Sequence, residues 1–259
     1  MNPVKNMNKI VKKLLNEIKI INNSILKKKL NYKNKSKVEI DPVTKFDILI
    51  EKKIRSFIKR NFSNHSIVGE EFKNYKNNSL FKWYIDPIDG TKALIMGLPN
   101  WANLIGLFFK NKPVLSLANF PSLNKFYIAY NNRSYVKINN IFKKVKSSKN
   151  KNPSKSLLAM NTISTQQNLK IFKKLKNKHF LKITGADALN YCLLCEGKID
   201  VVIESGLKKV DFFPLMKLIK NSGAIITDWN GKQKFSNGDV LVASNKVLHK
   251  YFLRKLKRN

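Results

Sequence analysis

Trp83-Tyr84-Ile85-Asp86-Pro87-Ile88-Asp89-Gly90-Thr91 is the stretch of this chain that decides how the rest is read. Its apolar first part reads as a strand, and that strand ends in two carboxylates three residues apart. Pro87 fixes φ and has no N–H to give. A turn is therefore expected where Asp86 leaves the strand, bringing Asp86, the Ile88 carbonyl and Asp89 towards one point. Oxygen donors of this hardness suit Mg²⁺ and not zinc. Gly90 and Thr91 then open a helix, whose free N–H groups and dipole favour a phosphate beside the metal. Taken alone, the same D-x-x-D spacing also fits an Asp-capped turn, so the surroundings have to choose between the two.

Three further acids choose the site. Glu70 follows the apolar run Ser66-Ile67-Val68-Gly69, Asp211 precedes an apolar helix in Lys208-Lys209-Val210-Asp211-Phe212, and Asp47 lies in Asp41-Pro42-Val43-Thr44-Lys45-Phe46-Asp47. With only 16 acidic residues in 259, a carboxylate at the end of an apolar strand is a poor candidate for surface decoration. Asp47 has two readings, a site residue or the partner of a neighbouring Lys. Asp41-Pro42 reads as a helix-start turn, Glu71 as a solvated neighbour of Glu70, and Thr91 as an N-cap whose capping is compatible with catalysis. Asp200 and Asp228 read as ordinary strand-end residues.

The composition is that of a folded globular chain, 43% hydrophobic with sixteen Phe, although 51 Lys+Arg give a formal charge of +35. A basic surface attracts polyanions whatever the fold beneath it. Here Lys recurs along the whole chain beside Asn and Ile, as in Lys12-Lys13, Lys27-Lys28-Lys29 and Lys143-Lys144. Aromatic residues sit in apolar runs such as Leu107-Phe108-Phe109 and do not alternate with basic ones as an RNA-stacking surface requires. The expectation is drift in composition, with steering of an anionic substrate as its effect and no specific nucleic-acid partner. Cys192 and Cys195 lie in one apolar helix pattern that ends at Gly197. With no second Cys pair they argue against zinc and for a reducing, cytoplasmic compartment. The first residues carry no signal-type apolar core, and the longest charge-free run, between Lys92 and Lys110, is broken by Gly97, Pro99, Asn100 and Asn103. No membrane span is expected.

Apolar residues at helical spacing from Ile10 to Leu26 predict a long first helix, and a basic, Asn-rich loop should follow. A second helix should begin near Thr44 with Phe46, Leu49, Ile50, Ile54, Phe57 and Ile58 on its inner face. Strands are expected at Ser66–Gly69, Leu104–Phe109, Val114–Ala118, Phe126–Tyr130 and Ser134–Ile138. The charged stretch from Lys143 to Lys155 lacks periodicity. It divides the chain into an N-terminal α+β half, residues 1–145, and a C-terminal α/β half, residues 146–259, that carries Asp211. In the second half, strands at Leu157–Met160, His179–Ile183, Ile199–Ile203, Ala224–Thr227 and Val240–Ala243 alternate with helices near Gln166–Lys176, Asp187–Glu196, Phe212–Asn221 and Lys246–Leu256.

Gly69-Glu70-Glu71, the Trp83–Thr91 block, and Asp211 followed by an apolar helix and Gly223 together resemble the motifs of the Mg²⁺-dependent inositol monophosphatase superfamily. The resemblance runs from about Asp41 to Gly231. It is closest to the histidinol-phosphatase branch, on Thr91-Lys92-Ala93-Leu94-Ile95-Met96-Gly97-Leu98-Pro99-Asn100-Trp101 and on Gly185-Ala186-Asp187-Ala188 leading to Val202-Ile203-Glu204-Ser205-Gly206-Leu207-Lys208. It implies a mixed α-β (α+β) chain folded as the layered αβαβα sandwich of the inositol monophosphatase and fructose-1,6-bisphosphatase type.

The resemblance further implies that Glu70, Asp86, the Ile88 carbonyl, Asp89 and Asp211 bind catalytic Mg²⁺. Glu70, Thr91 and Asp89 would be catalytic, with Thr91 and Glu70 orienting and deprotonating the attacking water. The N–H groups of Gly90 and Thr91 would hold the phosphate, and Glu204 and Asp187 would meet the organic part of a small phosphomonoester, L-histidinol phosphate first. In-line attack of a metal-activated water needs no covalent phosphoenzyme. A homodimer is the family expectation. Inositol or broader sugar phosphates are the rival substrates, and a nucleic-acid-binding protein on an inactive phosphatase scaffold is the rival of a different kind. Val210, where relatives usually carry an aromatic residue, and Ala102-Asn103, in place of a Gly-Thr-like pair, depart from the pattern without touching an implied ligand.

Overall fold

The computed structural model describes residues 7–25, 31–35, 42–139, 141–160, 166–175, 180–183 and 185–257. Leu26, Asp41, Lys176 and His179, which figure in the expectations above, lie outside the described residues.

The opening amphipathic segment forms helix α1 (Met7–Ile25), which buries Val11, Leu14 and Ile18. The basic segment beyond it is not all loop, because β1 (Tyr32–Asn34) pairs antiparallel with β2 (Pro42–Thr44). Pro42 is therefore a ladder residue opposite Asn34 and not a turn. Thr44 then caps α2 (Lys45–Asn61): its hydroxyl accepts from Phe46 N at 3.1 Å while Asp47 accepts from Thr44 N at 2.8 Å. That reciprocal box satisfies two amides a helix start leaves free. Phe46, Ile50, Ile54, Phe57 and Ile58 face inward as expected, but Leu49 is 37% exposed. Glu51 and Arg55 take the buried side instead, as a 2.6 Å ion pair.

A seven-stranded sheet follows, in the order β3 (Ser66–Gly69), β4 (Phe81–Asp89), β5 (Ala102–Phe109), β6 (Lys112–Phe120), β7 (Lys125–Tyr130), β8 (Arg133–Ile138) and β9 (Ile141–Lys144). Only β3 and β4 are parallel; the others form an antiparallel meander. The short helix α3 (Thr91–Ile95) stands between β4 and β5. Part of β9 falls in the stretch read as loop, because all four of its residues are exposed and leave no alternation to detect.

The second sheet runs β11 (Phe180–Ile183), β10 (Leu157–Met160), β12 (Val201–Glu204), β14 (Val240–Ala243), β13 (Ile225–Thr227), with β10 parallel to both its neighbours. Helix α4 (Gln166–Leu175) follows β10, α5 (Asp187–Cys195) precedes β12, and α8 (Lys246–Lys257) closes the chain. The one helix expected at Phe212–Asn221 is three pieces: α6 (Lys209–Phe212), a 3-10 turn at Phe213–Leu215, and α7 (Met216–Ser222). Pro214 accounts for the break, since it has no N–H and its ring crowds the preceding turn.

Three apolar clusters separate five layers. One joins α1 and α2 to the first face of the large sheet through Leu14, Ile54, Trp83, Ile85, Ile105 and Leu107. A second joins the opposite face to α5, α7 and the smaller sheet through Tyr84, Leu104, Tyr191, Leu218 and Val242. The third packs α4 and α8 beneath the smaller sheet through Ile171, Leu248 and Phe252. The chain is thus an αβαβα sandwich. In the middle layer Gly106 of β5 lies so close to the 3-10 turn that a Cβ there would stand 2.6 Å from Pro214 Cα. Cys192 and Cys195 are buried free thiols within α5. Among the described residues no helix is long and apolar enough to cross a membrane.

Candidate active site

Side chains alternate along a strand, so residues three apart normally face opposite sides of a sheet. Asp86 and Asp89 escape that rule. Asp86 pairs with Leu104 and Asp89 with Ala102, so three steps along β4 match two along β5. The extra residue is a β-bulge, and it reverses the parity so that both carboxylates face the middle layer. The ladder thus continues through the motif, where the sequence reading had the strand ending at Asp86. Both side chains are buried, at 3% and 7% exposure. Asp89 Oδ2 also accepts from Ala188 N, at the start of α5, at 3.1 Å, which ties the large sheet to the second half of the chain.

The remaining acids arrive from three other elements. Glu70, just beyond β3, lies 3.1 Å from Lys208 Nζ and 3.6 Å from Lys35 Nζ. Glu71 is not solvated as expected: its side chain is 4% exposed and pairs with Lys35 at 2.5 Å. Asp211, in the first turn of α6, accepts from Lys208 N at 2.8 Å. Glu204 ends β12 and takes the Tyr191 hydroxyl at 2.7 Å. Asp187 begins α5 with a positive φ of 33°, a strained value for a residue with a side chain.

Gly90 has φ 78°, the left-handed region in which glycine costs least, and so turns the chain from the bulge straight into α3. This places Thr91 with its hydroxyl 3.1 Å from Asp47 Oδ1 and 3.0 Å from the Ile88 carbonyl oxygen. Asp47 and the Ile88 carbonyl are thus the two acceptors within reach of the Thr91 hydroxyl. Asp47 does not line the cavity itself; it caps α2 and touches Thr91, which does. The D-P-I-D-G-T block gives no hint of this contact, which spans 44 residues.

One cavity of about 480 Å³ is lined by Glu70, Asp86, Ile88, Asp89, Gly90, Thr91, Asp187, Glu204 and Asp211 together. Six of the chain's sixteen acidic residues meet there. Burial, and then repulsion from Glu70 and Asp89, holds the Asp86 carboxyl well above its ordinary range. Burial and then Asp187 do the same to Asp89. Burial followed by Glu70 pushes Asp211 up to about 7, and burial pushes Glu204 up to about 8 against the Tyr191 hydrogen bond.

As the side chains stand, no three acidic, histidine or cysteine groups among the described residues converge closely enough to hold one metal ion. The donor set nevertheless fits a hard divalent cation. Every candidate ligand is an oxygen, Asp86 Oδ1 is buried without a hydrogen-bond partner, and a divalent charge would relieve the mutual repulsion that raises these carboxyls. Asp200 and Asp228 stay structural: Asp200 Oδ2 accepts from Leu157 N at 2.9 Å and Asp228 Oδ1 from Lys232 N at 2.7 Å.

The sandwich is that of the inositol monophosphatase class. A solved IMPase/NADP phosphatase, complexed with Mg²⁺ and phosphate, superposes with a TM-score of 0.84 over 98% of this chain and 96% of that one, at 21% identity. The inositol monophosphatase family profile matches residues 4–259, and the chain belongs to that family. It is 34% identical over 199 residues to the chloroplastic bifunctional phosphatase IMPL2 of Arabidopsis thaliana, 76% of this chain and 57% of that protein's length. It is 29% identical over 238 residues to a fructose-1,6-bisphosphatase/inositol-1-monophosphatase of Aquifex aeolicus, covering 89% of this chain and 87% of that one. To a histidinol-phosphatase of Mycobacterium tuberculosis it is 27% identical over 237 residues, 85% and 86% of the two chains.

Proposed function

We propose that this chain is a Mg²⁺-dependent phosphomonoesterase whose preferred substrate is L-histidinol phosphate. The observation that carries the reading is a surplus of acid in the cavity. Glu70, Asp86, Asp89 and Asp211, with the Ile88 carbonyl, make the donor set for the metal, and Asp187 and Glu204 remain over on the wall beside them. Two further carboxylates suit an alcohol that carries positive charge, such as the amine and imidazole of histidinol, better than a neutral polyol.

When bound, Mg²⁺ supplies Lewis-acid stabilisation of the phosphoryl oxygens and lowers the pKa of water. The chain's own residues do the rest. Gly90 and Thr91 offer backbone N–H groups to the phosphate at the start of α3. Thr91, whose hydroxyl proton has Asp47 Oδ1 and the Ile88 carbonyl as its acceptors, keeps an oxygen lone pair for the attacking water and orients it. Glu70 takes that water's proton. Tyr191 holds Glu204 in one rotamer against the organic part of the substrate. The basic surface draws the phosphate dianion towards the cavity.

The relatives support both this substrate and a neutral sugar or inositol ester, whose hydroxyl Glu204 can also accept from. Glu204→Gln and Asp187→Asn separate the two. If the reading holds, each variant raises KM for histidinol phosphate more than for inositol 1-phosphate. Equal effects on the two esters would favour the neutral substrate.

A further inference from the structure

The bulge that turns Asp86 and Asp89 to one side leaves β5 with a single residue, Asn103, opposite Pro87 and Ile88. Asn103 is fully buried and lies on the same face of β5 as Ile105 and Leu107, towards the layer of α1 and α2 and away from the cavity. A buried amide among aliphatic side chains is costly unless its hydrogen bonds are made. Those of Asn103 are made at both ends. Nδ2 donates to the Pro87 carbonyl at 2.7 Å. Oδ1 accepts from Asn22 Nδ2 of α1 at 2.7 Å and from Asn119 Nδ2 of β6 at 3.1 Å. A carbonyl can only accept, so the bond to Pro87 fixes which end of the Asn103 amide points where, and the two Asn donors meet the remaining oxygen.

We propose that Asn103 is a positioning residue for the metal site. By drawing the Pro87 carbonyl to the helix side of the sheet, it holds the bulged peptide in one orientation. The neighbouring Asp86 side chain and Ile88 carbonyl are then held towards the cavity. Rotation of that one peptide would displace candidate ligands on both sides of Pro87. Asn22 and Asn119 act through Asn103 by keeping its amide from turning, so helix α1 helps to hold the site without reaching the cavity. This inference rests on the metal-site reading proposed above.

The test is calorimetric titration of Mg²⁺ into wild type, Asn103→Leu, Asn119→Ala and Leu115→Ala, with kcat and KM measured beside it. Leu115 is fully buried far along β6, opposite Leu107 and Tyr130, and controls for loss of stability alone. Loss of an outer hydrogen bond that orients metal ligands weakens metal affinity by roughly tenfold to a hundredfold. Asn103→Leu is expected in that range, with kcat lowered at saturating Mg²⁺. Asn119→Ala keeps the bond to Pro87 and is expected to show a smaller loss in the same direction, which carries the test if Asn103→Leu does not fold. Leu115→Ala is expected to melt earlier with unchanged Mg²⁺ affinity. Wild-type affinity in every Asn variant that folds, or a matching loss in Leu115→Ala, would overturn the proposal. Absence of saturable Mg²⁺ binding by the wild type would instead overturn the metal-site reading beneath it.

Discussion

The Thr91 hydroxyl lies 3.1 Å from Oδ1 of Asp47, joining the helix that follows the β4 bulge to the helix that precedes the whole large sheet. Asp47 spends its other oxygen on the cap of α2, accepting from Thr44 N and Oγ1 at 2.8 and 2.5 Å. One buried carboxylate thus caps a helix start and offers the Thr91 hydroxyl an acceptor.

Thr91→Ala is expected to lower kcat by about a hundredfold or more, the scale of a lost proton-handling group, with Thr91→Ser retaining most of the activity. Asp47→Asn keeps the shape of the cap and should lower kcat with a stability change of about 1 kcal/mol or less. Steady-state kinetics beside thermal melting separate the two effects. A Thr91→Ala enzyme with wild-type kcat would remove Thr91 from the chemistry.

Asp89→Asn removes a charge from the donor set and exchanges one carboxylate oxygen for an amide nitrogen that cannot accept from Ala188 N. It is expected to cost several kcal/mol of transition-state stabilisation. The measure is kcat/KM at saturating Mg²⁺. Wild-type turnover in that variant would mean that the site is wrongly assigned.

The raised carboxyls make stability depend on pH in a set direction. Asp211, at about 7, and Glu204, at about 8, hold their protons more tightly in the folded chain than in the unfolded one. The stability this contributes is fully present below the unfolded values near pH 4 and is lost as pH rises through the folded ones. Melting temperature in EDTA should therefore fall between about pH 5 and 8. Mg²⁺, which binds the ionised carboxylates, should raise it most at the alkaline end. A flat profile in EDTA, or a Mg²⁺ effect that is largest at pH 5, would contradict this.

Gly106→Ala places a methyl 2.6 Å from Pro214 Cα, where both neighbours are backbone and neither can step aside cheaply. Overpacking of this kind costs about 1–3 kcal/mol. Denaturant unfolding is expected to show a loss in that range. An unchanged midpoint would mean that the 3-10 turn is free to move off the sheet.

Much of this was legible in the sequence because its causes are local. The apolar spacing of α1 and α2, the short apolar runs of β5 to β8, and the Pro-Ile-Asp-Gly-Thr turn chemistry each work over a few residues. The exceptions have physical reasons. Strands β1, β2 and β9 are short, and β1 and β9 are fully exposed, so pairing alone defines them and no pattern marks them. Leu49 faces outward because Glu51 and Arg55, which read as surface residues, satisfy each other inside. The parity reversal between Asp86 and Asp89 depends on the register of β5, a non-local fact, and so do the contacts of Thr91 with Asp47 and of Asn103 with Pro87. The carboxylates that line the cavity could be named from sequence, while the hydrogen bonds around them became visible only in three dimensions.

Substrate and metal dependence are measured together by phosphate release from L-histidinol phosphate, myo-inositol 1-phosphate and adenosine 3′,5′-bisphosphate, each with Mg²⁺ and with EDTA. Mg²⁺-dependent hydrolysis is expected, with the highest kcat/KM for L-histidinol phosphate. Equal or better turnover of another ester would contradict the substrate assignment, and no Mg²⁺-dependent turnover of any of them would contradict the enzyme itself.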